Sequence, residues 1–184
     1  MIQFEGAAFC FGDDINTDYI IASRRKRDTL DVNILKQYIM EDIRPGFFHE
    51  LSGSAILVAG ENFGCGSAME VAAQVVRGNN IPVILAKSFA RSYYRNAINN
   101  GILIVEMDTD GITEKDQLRV VMDESGILVS NLSSGLSVRR PGFRKELEDI
   151  ILSGGLIEYV KQRQKNKKEG VICEREKSQS PEPS

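Results

Sequence analysis

The residues best suited to chemistry lie between positions 60 and 72, where the chain reads Gly60-Glu-Asn-Phe-Gly-Cys-Gly-Ser-Ala-Met-Glu-Val-Ala72. Glycines at 60, 64 and 66 lack Cβ atoms, so the backbone can turn through left-handed conformations and let a ligand approach the main chain. They deliver one hydroxyl, Ser67, to the expected start of a helix, whose free N–H groups favour an anion. An apolar run at 54–59 precedes the loop and reads as a buried strand, and Val71, Ala72, Val75 and Val76 follow it at helical spacing. The spacing Gly-x-x-x-Gly-x-Gly is neither the dinucleotide fingerprint Gly-x-Gly-x-x-Gly nor a phosphate loop, which needs Lys and then Ser or Thr after its last glycine. By spacing alone this is a strand-to-helix connection in which Ser67 serves as the helix N-cap.

The elements that must hold this loop read as alternating strands and helices. A strand at 2–11 leads through an Asp-rich loop to a basic segment, and residues 31–40 pattern as an amphipathic helix with Val32, Leu35 and Ile39 on one face. Strands at 55–59, 83–86 and 102–105 alternate with helices at 68–77 and 89–99, which predicts βαβ units and a parallel core. Strands at 118–122, 126–131 and 136–138, joined by short Asp, Ser and Gly turns, read as antiparallel. Helices are expected at 142–152 and 156–160, and beyond Lys161 the polar, charged composition predicts a disordered tail. The expected organisation is one α/β domain over 1–160 with a tail over 161–184.

Composition narrows the function classes. With 184 residues, 42% of them hydrophobic, the chain can bury one core. A net charge of −3 and a pI near 5.4 argue against a general nucleic-acid binder. There is no run of about 18 apolar residues to span a membrane and no signal pattern at the N-terminus, so a cytoplasmic protein is expected. Cys10, Cys65 and Cys173 are widely separated and form no Cys-x-x-Cys pair, so the chain is expected to bind no metal of its own, and any cluster must come from a partner. Cys10 and Cys173 read as inert thiols, whereas Cys65 sits inside the glycine loop and could line the site. The single histidine, His49, follows Pro45-Gly-Phe-Phe48 in an expected surface turn, which does not favour a Ser-His-Asp triad or a histidine metal site.

Three separated motifs carry a resemblance. The glycine loop is preceded by Gly12-Asp-Asp-Ile-Asn-Thr-Asp-Tyr-Ile-Ile21 and followed by Ala86-Lys-Ser-Phe-Ala-Arg-Ser-Tyr-Tyr-Arg-Asn-Ala-Ile-Asn-Asn-Gly101. In this order they resemble the small subunits of the isopropylmalate dehydratases, within the aconitase superfamily, over roughly residues 3–160. The resemblance implies an aconitase-type swivelling β/β/α domain with a mixed sheet that closes over a large subunit carrying an iron-sulfur cluster. It also implies a hydro-lyase that dehydrates and rehydrates a hydroxy-dicarboxylic acid, 3-isopropylmalate in leucine biosynthesis. The alternatives are another malate derivative of the 2,3-dimethylmalate, homoaconitate or citraconate type, or a non-catalytic assembly or regulatory paralogue.

The resemblance also assigns residues. The serine after Gly-x-Gly is the family's proton-abstracting base, here Ser67, and Asp18 matches an acidic residue beside the site. Family members commonly read Gly-Ser-Ser-Arg-Glu-His, with the arginine on a substrate carboxylate, whereas this chain reads Gly66-Ser-Ala-Met-Glu-Val71. Gly66, Ala68 and Met69 therefore hold substrate-contact positions, but Met69 cannot form a bidentate carboxylate pair. The family's side-chain-reading loop, Pro-x-Arg-Tyr-Leu-Arg-Thr, is here Ala22-Ser-Arg-Arg-Lys-Arg-Asp-Thr29. Arg24 and Arg27 match its arginines, while Arg25 and Lys26 replace its aromatic and apolar residues, so either the substrate lacks the missing contact or another cation reaches that place. Lys87, Ser88, Arg91 and Arg95 fall in the third motif. A structural role is expected for Arg91 and Arg95, tying their helix to a loop or to the large subunit.

Overall fold

The computed structural model describes residues 1–177 apart from Asp28 and Ser52, with the backbone alone for 167–177. Strands β1 (Ile2–Cys10), β2 (Ala55–Ala59), β3 (Val83–Ala86) and β4 (Leu103–Glu106) pair in parallel. Strands β5 (Gln117–Asp123), β6 (Gly126–Asn131) and β7 (Ser137–Arg140) continue the sheet antiparallel from the other side of β1, giving the order β4-β3-β2-β1-β5-β6-β7. The strand register explains why the two halves differ in sequence. Every residue of β2 (AILVA) and β3 (VILA) is buried, as expected for parallel strands covered on both faces. In β5 burial alternates, with Leu118, Val120 and Met122 inside.

Helices α4 (Glu70–Gly78) and α5 (Arg91–Asn99) make the crossovers from β2 to β3 and from β3 to β4. α4 buries Ala72, Ala73, Val75 and Val76, and α5 buries Tyr93, Ala97 and Ile98. Helices α6 (Lys145–Leu152) and α7 (Leu156–Lys177) pack on α5. The long connection from β1 to β2 carries short helices α1 (Thr17–Ile20), α2 (Val32–Leu35) and α3 (Phe47–Glu50), with one-turn 3-10 segments at Ser23–Lys26 and Lys36–Tyr38. Among the described residues no helix is long and apolar enough to cross a membrane.

Two expected helices differ from those observed. The helix expected over 31–40 is only α2 followed by a 3-10 turn, because the Met40 N–H turns back to the Ile20 carbonyl at 3.0 Å and Met40 itself takes φ +54°. α7 does not stop at 160, where the sequence predicts the start of a disordered tail, but runs to Lys177. Lys161 pairs with Glu158 at 2.7 Å, and lysine, arginine, glutamine and glutamate are good helix formers even when they bury little. The rest of the expected tail, 178–184, lies outside the described residues.

The antiparallel half is pinned where β1 meets the turns before β5 and after β6. Asp116 accepts hydrogen bonds from the Thr113 N–H at 2.9 Å and from the amide of buried Asn131 at 2.7 Å, and its carbonyl accepts from Ala8 at 2.8 Å. Donation first from the Thr113 backbone and then from Asn131 holds the Asp116 carboxyl below its ordinary 3.8. A carboxyl depressed by folding stabilises the native state above its unfolded pKa and loses that contribution as pH falls through the folded value. Asp116→Asn should therefore lower the urea midpoint at pH 7 and flatten the further loss seen below pH 3.8 in the parent, as read by midpoints across an acid series.

Candidate active site

The three motif segments leave the carboxyl ends of β1, β2 and β3, the edge at which open α/β sheets form ligand crevices. Backbone bonds lock them together. Gly60 donates to the Gly12 carbonyl at 3.1 Å, Asp14 to Glu61 at 2.8 Å and Gly64 to Ile15 at 2.7 Å. Asn16 and Cys65 form a parallel bridge, and the Thr17 N–H reaches the Cys65 carbonyl at 2.9 Å. On the other side the Ser88 hydroxyl accepts from the Asn62 N–H at 2.8 Å, Phe63 donates to the Ser88 carbonyl at 3.0 Å, and Lys87 donates to the Gly60 carbonyl at 3.0 Å. The turn requires glycine at two places. Gly64 has φ +78° and an added Cβ would stand 2.2 Å from Tyr93 Cβ, while Gly66 has φ +88° and a Cβ there would meet the Asn16 amide at 2.6 Å.

Ser67 emerges from this lock exposed, and its hydroxyl has no hydrogen bond to a described residue. Its carbonyl is occupied twice, by the Thr17 hydroxyl at 2.9 Å and the Met69 N–H at 2.8 Å. A carbonyl held in this way cannot open a helix. α4 therefore begins at Glu70, two residues after the expected 68, and its N-cap position is Met69 rather than Ser67. The helix dipole falls off within a turn, so it contributes less at Ser67 than a true cap would receive.

Asp18 and the basic turn continue the same chain of contacts. The Asn16 side chain accepts from the Asp18 N–H at 2.9 Å, and Asp18 Oδ1 accepts from the Ser23 N–H at 3.1 Å and the Ser23 hydroxyl at 2.5 Å. Asp18 thus holds the start of the 3-10 turn at Ser23–Lys26. In that turn Arg24 pairs bidentately with Asp42 and also reaches Glu41, and Arg25 pairs bidentately with Glu41 at 2.8 Å while stacking over the Tyr38 ring at 3.9 Å. The Arg24 and Arg25 guanidiniums are both held above their ordinary pKa, chiefly by the hydrogen bonds they donate to Asp42 and Glu41 respectively. Lys26 Nζ lies against Met69 Sδ, and Arg27 is exposed with no side-chain partner among the described residues.

Of the predicted site residues, Ser67, Gly66, Ala68 and Met69 share the glycine loop, and Asp18 and the basic turn are tied to it through Thr17 and Asn16. Arg24 is drawn off by acidic partners. Lys87 pairs with Asp110 at 2.6 Å, whereas Arg91 and Arg95 are exposed and make no ion pair among the described residues. Burial pushes the Cys10 thiol up to about 11, and burial followed by the charge of Asp14 raises Cys65, so both thiolates are scarce near neutrality. His49 is exposed in α3. Among the described residues no three His, Cys, Asp or Glu side chains converge as a metal site.

The family model of the Aconitase C-terminal domain matches residues 47–110. A 3-isopropylmalate dehydratase small subunit from Aquifex aeolicus is 39% identical over 165 residues, covering 88% of this chain and 96% of that protein. The chain belongs to the family of 3-isopropylmalate dehydratase small subunits. A methanogen homoaconitase small subunit from Methanocaldococcus jannaschii is 38% identical over 160 residues, covering 86% of this chain and 92% of that one. The crystal structure of a 3-isopropylmalate dehydratase chain from the same organism superposes with a TM-score of 0.85 at 32% identity, covering 92% of this chain and 99% of that one.

Membership in this dehydratase family accounts for the mixed sheet and for the order of the three motifs, but not for two residues that sequence reasoning passed over. Thr17, 1% exposed, is the buried link between motifs, and only its place between Asn16 and Asp18 marked it in sequence. Lys26 enters the sequence only as a replacement for an apolar residue of the family's loop, and nothing in the linear chain places it beside Met69. If the Thr17 hydroxyl fixes the loop, Thr17→Val should cost about 1 kcal/mol and speed amide exchange at residues 64–69, with Thr17→Ser restoring protection. Exchange unchanged in Thr17→Val would assign the loop's order to the backbone bridges alone.

Proposed function

We propose that this chain is the small subunit of a heteromeric hydro-lyase that moves water on and off a hydroxy-dicarboxylic acid, 3-isopropylmalate first among them. The observation that carries the reading is Ser67: an exposed hydroxyl, unbonded among the described residues, on a loop fastened at Gly64, Cys65 and its own carbonyl, with two cations beside it that have no carboxylate partner among the described residues. Dehydration takes a proton from the carbon next to a carboxylate while hydroxide leaves, and the resulting charge must be met by hydrogen-bond donors and cations. In this reading Ser67 Oγ takes that proton. Its backbone is held still by Thr17, so little reorganisation is needed as the reaction proceeds.

A serine hydroxyl is a weak base, and no basic side chain among the described residues is bonded to it. Its activation must come from the large subunit, which we take as the partner, in the cytoplasm, with no nucleic acid or membrane involved. The iron-sulfur cluster that the family implies belongs to that subunit. Among the described residues Cys10 and Cys65 belong to no metal-binding group, and when bound in the partner the cluster would supply a Lewis acid for the departing hydroxyl. The exposed cations Arg91 and Arg95 on α5 suit the subunit interface in this reading. Met69 and the cationic turn favour a second reading within the same chemistry, a malate derivative other than isopropylmalate, such as a dimethylmalate, homoaconitate or citraconate-type acid.

Mixed anaerobically with an iron-sulfur large subunit, the chain should turn over at least one member of a hydroxy-acid panel, while alone it should carry neither iron nor activity. Stoichiometric iron and sulfide in the isolated chain would count against this assignment. In the assembled enzyme Ser67→Ala should lower kcat by at least about 10²-fold with a smaller change in KM. Near-normal turnover by a folded variant would place proton abstraction elsewhere.

A further inference from the structure

The sheet curls until its two ends come near each other. β4 stands at one end of the strand order and β7 at the other, yet residues from both ends line a single cavity of about 210 Å³. Ile104, Ile127 and Phe143 give it an apolar lining, and the two isoleucines are buried. Its charged groups sit where strands finish, Glu106 as the last residue of β4 and Arg140 as the last of β7. The sheet fixes both backbones. Glu106 is in register with Ala86 of β3 and Arg140 with Ile127 of β6, and a Cβ on Gly126 would stand 2.4 Å from the Arg140 carbonyl.

The polar groups of this cavity are unmatched. Glu106 and Arg140 are exposed and opposite in charge, but neither forms an ion pair with the other or with any other described residue. Glu106 also borders a recess with Arg91 and Arg95 and pairs with neither. The Tyr94 hydroxyl, on the same wall, has no hydrogen bond to a described residue. Burial first, and then the charge of Glu106, holds the Tyr94 phenol above its ordinary 10.0, so it stays a neutral donor near that carboxylate.

An exposed charge loses little by going unpaired, because water solvates it. Here two opposite charges are held apart beside an apolar surface, an arrangement completed by a ligand that carries both charges and an apolar group. Size narrows the class. At about 30 Å³ per water the cavity holds on the order of seven waters, which suits a molecule of about nine non-hydrogen atoms and is below the range of drug-sized ligands. We infer that this cavity binds a free apolar α-amino acid: Glu106 receives its ammonium, Arg140 its carboxylate, and Ile104, Ile127 and Phe143 its side chain. The site is separate from the Ser67 loop, none of whose residues lines it.

The full chain should bind L-leucine with a Kd below about 1 mM by titration calorimetry, more tightly than L-alanine, which leaves the apolar lining unfilled, or L-tryptophan, which exceeds the space. Isocaproate lacks the ammonium and isoamylamine the carboxylate, and each should bind at least about 10-fold more weakly than L-leucine. Glu106→Gln and Arg140→Gln should each weaken L-leucine by about 10- to 100-fold, while Glu106→Asp keeps most of the affinity. Both positions are exposed, so the variants should keep the parent's thermal midpoint. In amide spectra of the parent, L-leucine should shift resonances at 104–106, 126–128 and 140–143. No binding of L-leucine up to its solubility, affinity unchanged in both charge-removing variants, or isocaproate bound as tightly as L-leucine overturns the inference. Shifts confined to other residues do the same.

Discussion

The site depends on one constraint: Thr17 gives its N–H to the Cys65 carbonyl and its hydroxyl to the Ser67 carbonyl, fastening the loop after β1 to the loop after β2. A glycine-rich turn of this kind has many conformations open to it, and ordering each residue costs about 1–2 kcal/mol of backbone entropy. The two Thr17 bonds, the Asn16–Cys65 bridge and the Ser88 contacts offset that cost from both sides of the turn. They also decide where α4 begins, since the carbonyl that would have opened the helix at Ser67 is engaged elsewhere.

From that fastening a ring of contacts closes. It runs from Ser67 to Thr17, through Asn16 and Asp18 to Ser23, along the basic turn to Lys26, and back through Met69 to the glycine loop. Within the ring, charge is sorted by proximity to the 41–42 segment: two arginines are neutralised there, while Lys26 turns to Met69 and Arg27 stays exposed. In the proposed reading the arrangement is a half-site. It presents a hydroxyl and cations at an open edge, which fits a domain whose chemistry is completed by a second surface.

Legibility in the sequence followed the range of the forces involved. β2 and β3 read directly from their apolar runs, and β6 was expected at its observed residues, because strand burial is written in consecutive side chains. α1, α3 and the 3-10 turn at Ser23–Lys26 went unread, since four residues are too few to show a period. The helix expected over 31–40 broke because Met40 bonds to Ile20, a partner twenty positions away that no local pattern announces.

The sequence by itself determined the βαβ core, the antiparallel extension, the glycine loop with its single hydroxyl, and the three-motif order that marks the dehydratase family, all carried by residue type and spacing along the chain. Only the tertiary structure decided that Ser67 is not a helix cap, that Asp18 holds the basic turn, that Arg24 and Arg25 are taken up by acidic partners, and that Lys26 meets Met69. Those outcomes turn on which donor reaches an acceptor first, across 5 residues from Ser23 to Asp18 and 16 to 50 in the other contacts, and that competition is settled by the packing of the loops at the carboxyl ends of the strands.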